Sequence, residues 1–420
     1  MRDKPFILGV INGAIFQVVV TIMQADLVLS AFVLKLTGST LYAALPMALM
    51  HLGGLWPPLI VAHIAEGMER KKSIYILAGV ARIATLACMG AATFWLAGSS
   101  SVWLVPAFLC LYFIYASANA AGGIGFMEMV AKTIPTTRRG SFMGWRGFFG
   151  GILGLGTGVY VQYMLGGGPD FPLNYAGLFF TASLCLIAAV FAYAIVEEPP
   201  SKIRRDRGAF GSHLRQGATT LRRDRNYRLL VGTRLLLTTA MAGQVVFIPY
   251  AIKELALPES IVGVLMVLTA CFTLPSNFLW SHLSDRYGNR RLLLVSTAVF
   301  LLSPLCAVAS HYAPGRGLGL PLPAEYDAKA VLFVLAYILG ATATRGGFMG
   351  TTNYLLEIAP EESRPTYMAF MRILQAPTVL LPLLAGMVAE FFSFQVAFVA
   401  AGVASLGTCY LVSRLDEPRR

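Results

Sequence analysis

The chain has 420 residues, 56% of them apolar and only 13% charged, with a mean hydropathy of +0.67. Soluble domains carry about 25% charged residues, so this composition excludes an ordinary water-soluble enzyme or nucleic-acid-binding domain. The net charge of +12 therefore needs an explanation that fits a membrane.

A bilayer span takes roughly 20 apolar residues. Apolar runs predict helices over residues 5–33, 41–66, 73–97, 102–131, 141–165 and 174–196. After a polar break, six more follow at 228–253, 260–282, 292–312, 329–357, 366–390 and 395–413. The opening "MRDKP" runs into an apolar stretch too long for a signal-peptide core, with no small-residue cleavage site, so it is read as the first span. The break, "EEPPSKIRRDRGAFGSHLRQGATTLRRDRNYR", divides an N-terminal half (1–196) from a C-terminal half (228–420), with a basic linker at 197–227. Residues 210–221 within it are expected to form an amphipathic surface helix. Twelve spans place both termini on one side, and 24 of the 33 Lys and Arg residues fall there. The positive-inside rule makes that side cytoplasmic, and the basic excess then serves topology and anionic-lipid contact rather than nucleic acid.

Cys88, Cys110, Cys185, Cys271, Cys306 and Cys409 lie singly inside apolar runs and read as small core residues. No G-x-x-x-x-G-K-[ST] phosphate loop and no H-E-x-x-H occur, so neither ATP-driven pumping nor intramembrane metalloenzyme chemistry is expected, and no cofactor is called for.

Two stretches recur. "AHIAEGMERKK" (62–72) parallels "SHLSDRYGNRR" (281–291) at an offset of 219, and "IPTTRRGSFMGWR" (134–146) parallels "APEESRPTYMAFM" (359–371) at 225. Two matches in one order argue for duplicated halves, a plan known in transporters. The second copy, with Asp285, Arg286, Gly288, Arg290 and Arg291, resembles the signature loop of the major facilitator superfamily. Ser281 replaces its first glycine. In the first copy Glu66 stands for the Asp, Gly67 for the Arg and Glu69 for a Gly, while Arg70 and Lys71 keep the basic end. The resemblance implies an all-α membrane protein of twelve helices in two pseudo-symmetric halves. It also implies a latch role for Asp285 and Glu66, with Arg70, Arg286 and Arg290; the alternative is that both loops only anchor topology.

The family fold places the first, fourth, seventh and tenth helices around a central cavity. Those helices carry Asp26, Glu128, Arg234 and Arg345. An ionisable residue inside hydrocarbon is a functional candidate by default. Arg345, 16 residues from Lys329 and 12 from Glu357, lies near the midplane. It is read as a contact for an anionic substrate, with an internal salt bridge or packing as alternatives. Asp26 and His51 are read as a proton-coupling pair at similar depth. Glu128 and Glu66 are expected to neutralise Arg82 and Arg146 in a gating network near the cytoplasmic face, with the arginines snorkelling. Gln17, Asn119, Gln244 and Asn353 complete the substrate candidates, with Asn12, Tyr115 and Phe348 as further cavity lining.

Gly150, Gly154 and Gly158 give the fifth helix a small-residue packing face. Drug exporters of the family carry glycines there with a Gly-Pro pair that is missing here. Pro377 and Pro382 allow the eleventh helix to bend.

The reading is a monomeric secondary transporter of the plasma membrane, bacterial inner membrane included. It moves a small organic solute, with an anion favoured over a cation, by alternating access with a proton or another ion. The alternatives are a proton-driven multidrug or lipophile exporter and a non-transporting assembly or sensor protein on the same scaffold.

Overall fold

The computed structural model describes residues 4–57, 60–61, 64, 68–96, 101–200, 221, 223–314, 327–360 and 364–417. Every regular element among them is helical. Hydrocarbon offers no water to bond a backbone N–H or C=O, so a spanning segment must satisfy its own. The helices are α1 (Lys4–Thr37), α2 (Thr40–Leu55), α3 (Lys72–Leu96), α4 (Ser101–Thr133), α5 (Arg139–Gly166) and α6 (Leu173–Ala194). Then come α7 (Arg225–Lys253), α8 (Ile261–Tyr287), α9 (Asn289–Tyr312), α10 (Ala328–Ile358), α11 (Phe370–Phe391, entered by helix from Arg364) and α12 (Phe394–Ser413).

Eleven of these are long and apolar enough to cross a membrane, and α2 is apolar but shorter over its described length. This is a multi-pass membrane protein. All twelve predicted helices have a counterpart; α8 runs five residues past its expected end, up to the glycine turn that stops it. The expected surface helix at 210–221 lies outside the described residues except for Leu221.

Helix starts are fixed by side-chain caps. Ser39 accepts from the Tyr42 amide, Asp224 from Tyr227, Asp327 from Ala330 and Ser393 from Val396. Three helices are interrupted inside. Residues Ala25–Leu29 of α1 form a π turn, and Gly243–Val246 of α7 and Ala376–Leu380 of α11 tighten into 3-10 turns. Pro377 sits in the last of these, where the missing proline N–H weakens the α ladder.

The chain divides into two compact units: Met1–Asp206 with Pro258–Val267, and Arg207–Leu257 with Leu268–Arg420. The first includes the start of α8, because small residues let it sit close on α5. A side chain at Gly263 would strike the Gln162 backbone, and one at Gly158 would strike Val267. In that unit α1 packs on α5 and α6, α3 on α4 and α6, and α2 on α4. Phe32, Phe108, Tyr175 and Phe179 form an aromatic core, each such pair contributing about 0.5–1.5 kcal/mol beyond burial. Lys35 pairs with Glu259 at 2.5 Å and lies over the Phe171 ring.

The second unit repeats the pairing scheme. There α9 packs on α10 and α12, and α7 on α12 and α10. Its aromatic core is Phe247, Tyr250, Phe333, Phe394 and Phe398.

Between α8 and α9 the chain turns through Gly288, at φ +88°, where a Cβ would come within 2.5 Å of Glu417 Oε1. Both the dihedral and the space require glycine. Gly288→Ala should therefore lower unfolding free energy by about 1–3 kcal/mol, read as a depressed thermal midpoint of purified protein.

Candidate functional site

Charged residues gather at two levels in each unit: at the loop joining the second and third helices of the half, and within the helices themselves. The first loop is held by carboxylates. Glu198, just past α6, is enclosed and accepts from the Lys71 and Lys72 amides at 2.9 and 2.7 Å. It also accepts from the Lys132 ammonium of α4. Lys72 Nζ donates to the Val196 carbonyl, and Lys71 Nζ pairs with Glu128 at 2.7 Å. Arg70 is exposed, and Glu66 lies outside the described residues.

The corresponding loop of the second unit has the same construction. Asn289 donates to Glu357 of α10 at 2.8 Å and accepts from Ser284 at 2.6 Å. Arg290 caps the end of α12, donating to the Ser413 carbonyl at 2.7 Å, where the helix dipole favours a cation. Arg286 and Arg291 both approach the face of Tyr287, and Asp285 is exposed beside them around a small pocket that Glu417 also lines.

Deeper in the first unit, Arg82 of α3 is 4% exposed. Its Nε donates to the Ala78 carbonyl and its Nη1 to Asn119 Oδ1 of α4, both at 3.2 Å. Arg146 of α5 lies across Gly13 of α1, where a Cβ would fall 1.9 Å from its Cγ. Its guanidinium stacks 4.0 Å from the Phe126 ring centroid. The expected neutralisation by Glu128 does not occur, since that carboxylate is engaged by Lys71. Among the described residues neither arginine has a carboxylate partner. Nor does Arg82 snorkel: the Asn119 amide and the Ala78 carbonyl hold it across the bundle.

In the second unit, Arg234 of α7 donates to Thr351 of α10 at 2.8 Å and lies 5.0 Å from the Phe348 ring centroid. Phe348 is 58% exposed, and Arg345, three residues earlier and so on the same face of α10, is exposed as well. Neither arginine pairs with a carboxylate among the described residues. The salt-bridge reading of Arg345 finds no support among them.

The other candidates are spread out. Gln17 packs on Gly150 and Gly154 of α5; Gln244, in the 3-10 turn of α7, lies over Gly340; Asn353 is half-buried on α10. Asn12 is not cavity lining: its amide donates to Tyr75 at 2.8 Å and to the Ala189 carbonyl at 2.7 Å, tying α1 to α3 and α6. Asp26 sits in the π turn of α1, against which α2, the helix of His51, packs. It is within electrostatic reach of the Tyr112 hydroxyl.

Residues 230–420 match the family model described as Major Facilitator Superfamily. Solved structures share the fold over the whole chain. A nucleoside transporter, NupG, aligns with a TM-score of 0.70 at 12% identity, covering 99% of this chain and 98% of that one. A D-xylose–proton symporter gives 0.69 at 14%, covering 100% and 98%. A bacterial homologue of the iron transporter ferroportin, in an inward-facing state, gives 0.70 at 14%, covering 98% of each chain. The family match covers the C-terminal half of the chain, and the whole chain shares the fold of these solved transporters. No curated protein matches its sequence.

The residues that inspection of the sequence missed are Glu198 and Glu417. Both are findable, because "VEEP" at 196–199 and "LDEP" at 415–418 stand 219 apart, the offset of the signature loops. Burial alone raises the Glu198 carboxyl, but the Lys132 ammonium and the two amides outweigh it and hold the group below the usual carboxylate range. A depressed folded value stabilises the protein above the unfolded value, and that stability is lost as pH falls through the folded one. Glu198→Gln should therefore cost about 1.5–3 kcal/mol at neutral pH. The gap to wild type should close below about pH 4, as followed by thermal unfolding at stepped pH.

Proposed function

We propose that this chain is a secondary transporter, not an enzyme, that carries a small organic anion across the plasma membrane by alternating access, with both termini cytoplasmic. The observation that carries the anionic reading is the pair Arg234 and Arg345. Both are guanidinium groups, on α7 and α10, the helices that the family resemblance places at a central cavity; Arg234 lies over the exposed Phe348 ring, and Arg345 is exposed on the same face of α10. A fixed cation in a water-filled cavity of low surrounding dielectric favours an opposite charge and disfavours a like one. This weighs against a lipophilic-cation exporter. The solved structures named above are a nucleoside transporter, a D-xylose–proton symporter and a homologue of an iron transporter, so fold alone leaves the substrate class open.

Asp26 and His51 are the proposed proton-coupling groups. The π turn around Asp26 supports this, since such insertions are frequent at functional sites. Asp285, Glu66, Arg70, Arg286 and Arg290 are proposed to steady the loops that alternate between open and closed states, with anionic lipid against their basic side chains.

The test is solute flux in proteoliposomes against a panel of organic anions, neutral polar solutes and lipophilic cations. Wild type should take up an anion, and Arg345→Glu should lower that uptake about 10- to 100-fold. Uptake restricted to cations, or an unchanged sign preference in the variant, would refute the anionic reading. No flux of any solute would favour a non-transporting role. Asp26→Asn should abolish accumulation driven by a proton gradient and leave exchange intact; undiminished accumulation would remove Asp26 from coupling.

A further inference from the structure

The first unit holds an arrangement that neither topology nor gating explains. Arg82 and Arg146 come from different helices, α3 and α5; Arg146 lies on Gly13 of α1, next to Asn12, whose amide bonds the Tyr75 hydroxyl, and Tyr75 stands two turns before Arg82 on the same buried face of α3, so the two arginines converge on one region. Arg82 spends Nε on Ala78 and Nη1 on Asn119 and has no further hydrogen bond among the described residues. Its Nη2 edge faces Gly122, where a Cβ would stand only 3.1 Å away. Among the described residues Arg146 has no hydrogen-bond partner, and its Nη1 is shielded from solvent. The surrounding groups are aromatic: Phe16 beside Arg82 at 5.5 Å, Phe126 under Arg146 at 4.0 Å, and Tyr75. Stacking on Phe126 fixes the guanidinium plane and leaves its N–H edge to donate.

An uncompensated guanidinium in hydrocarbon costs several kcal/mol. Two together repel each other as well, so structure alone does not account for the pair. The small residues are consistent with a built site. Gly13 is the only side chain size that lets Arg146 cross α1, and Gly122 clears space for the Arg82 edge. A planar, fixed donor edge matches two coplanar acceptor oxygens.

We propose that Arg82 and Arg146 form an oxyanion subsite within the first unit that binds the carboxylate or phosphate head of the transported solute. Arg146 is the direct donor, and Asn119 positions Arg82. This reassigns both arginines from gating to substrate binding. It rests on the anionic reading above but on separate residues, in the other half of the chain from Arg234 and Arg345.

The experiment measures thermal stabilisation of the purified full-length protein by acetate, succinate, inorganic phosphate and glycerol phosphate, with chloride and tetraphenylphosphonium as controls. An anion that binds only the folded state raises the midpoint by mass action. Carboxylates and phosphates in separate arms distinguish the two head groups. With the best-stabilising anion, Arg146→Gln and Arg82→Gln should each weaken apparent affinity about 10- to 100-fold, and Arg146→Lys should lose less than Arg146→Gln. If a variant fails to fold, the wild type answers alone. Modification of Arg146 by phenylglyoxal, mapped by mass spectrometry, should be suppressed by that anion and not by chloride.

Anion binding that survives both glutamine variants, or an Arg146 that is not protected, would overturn the subsite. If Arg345→Glu still abolished binding in that case, the anionic function would stand without it. Stabilisation by tetraphenylphosphonium and by no anion would overturn both.

Discussion

A charge in hydrocarbon must be hydrated, paired or put to use, and that constraint organises this molecule. Almost every ionisable side chain sits near a helix end or in a loop, where lysine and arginine meet carbonyls, carboxylates and water. Among the described residues, Arg82, Arg146, Arg234 and Arg345 depart from this rule, as do Asp26 and His51. The four cations are all guanidinium, the group that does not shed its proton to escape burial. A lysine in the same place would become neutral at a modest cost. The choice of arginine keeps the interior positive in every state of the transporter.

The loops meet the same constraint by the opposite route. Glu198 satisfies two amides at the start of α3 and an ammonium from α4, so three elements close on one carboxylate. In the second unit Arg290 closes the end of α12 and Asn289 reaches α10. The chemical partners differ, yet the elements joined are the same. Duplication has preserved which helices are tied together while letting the individual bonds drift, and this explains why the first signature loop looks eroded although its half remains firmly anchored.

Much of this was legible in the sequence. Hydropathy sets the spans, because hydrocarbon enforces helices; the repeat and the signature loop set the family. Arg345 and Arg234 were visible as charges in apolar runs. The pairing pattern was not. Glu128 was expected to meet Arg82 and instead meets Lys71, since which face of α4 looks at α3 depends on packing rather than on spacing. Asn12 looked like a polar cavity residue, but its amide has two buried partners that lie 63 and 177 residues away in the chain. The interruption in α1 leaves no trace in composition, because neither the extended Gln24 nor the π turn that follows it needs a special side chain.

That π turn carries a consequence for how the first helix can change. Gln24 leaves helical geometry, with ψ at 115°, so the helix is broken just before the π turn and the phases on either side are set separately. Lys4–Ile22 and Ser30–Thr37 therefore present their side chains in two separate phases joined by Ala25–Leu29. The first segment aligns with Arg146 through Gly13, and the second aligns Phe32 with its aromatic core and Lys35 with Glu259. Because Gln24 is extended, loss of one residue between 25 and 29 would not restore a continuous helix, and it would turn the second segment by about 100° against the first. The turn acts as a phase joint: it lets the two ends of one helix be tuned independently, and it makes their separation, rather than their composition, the property under constraint.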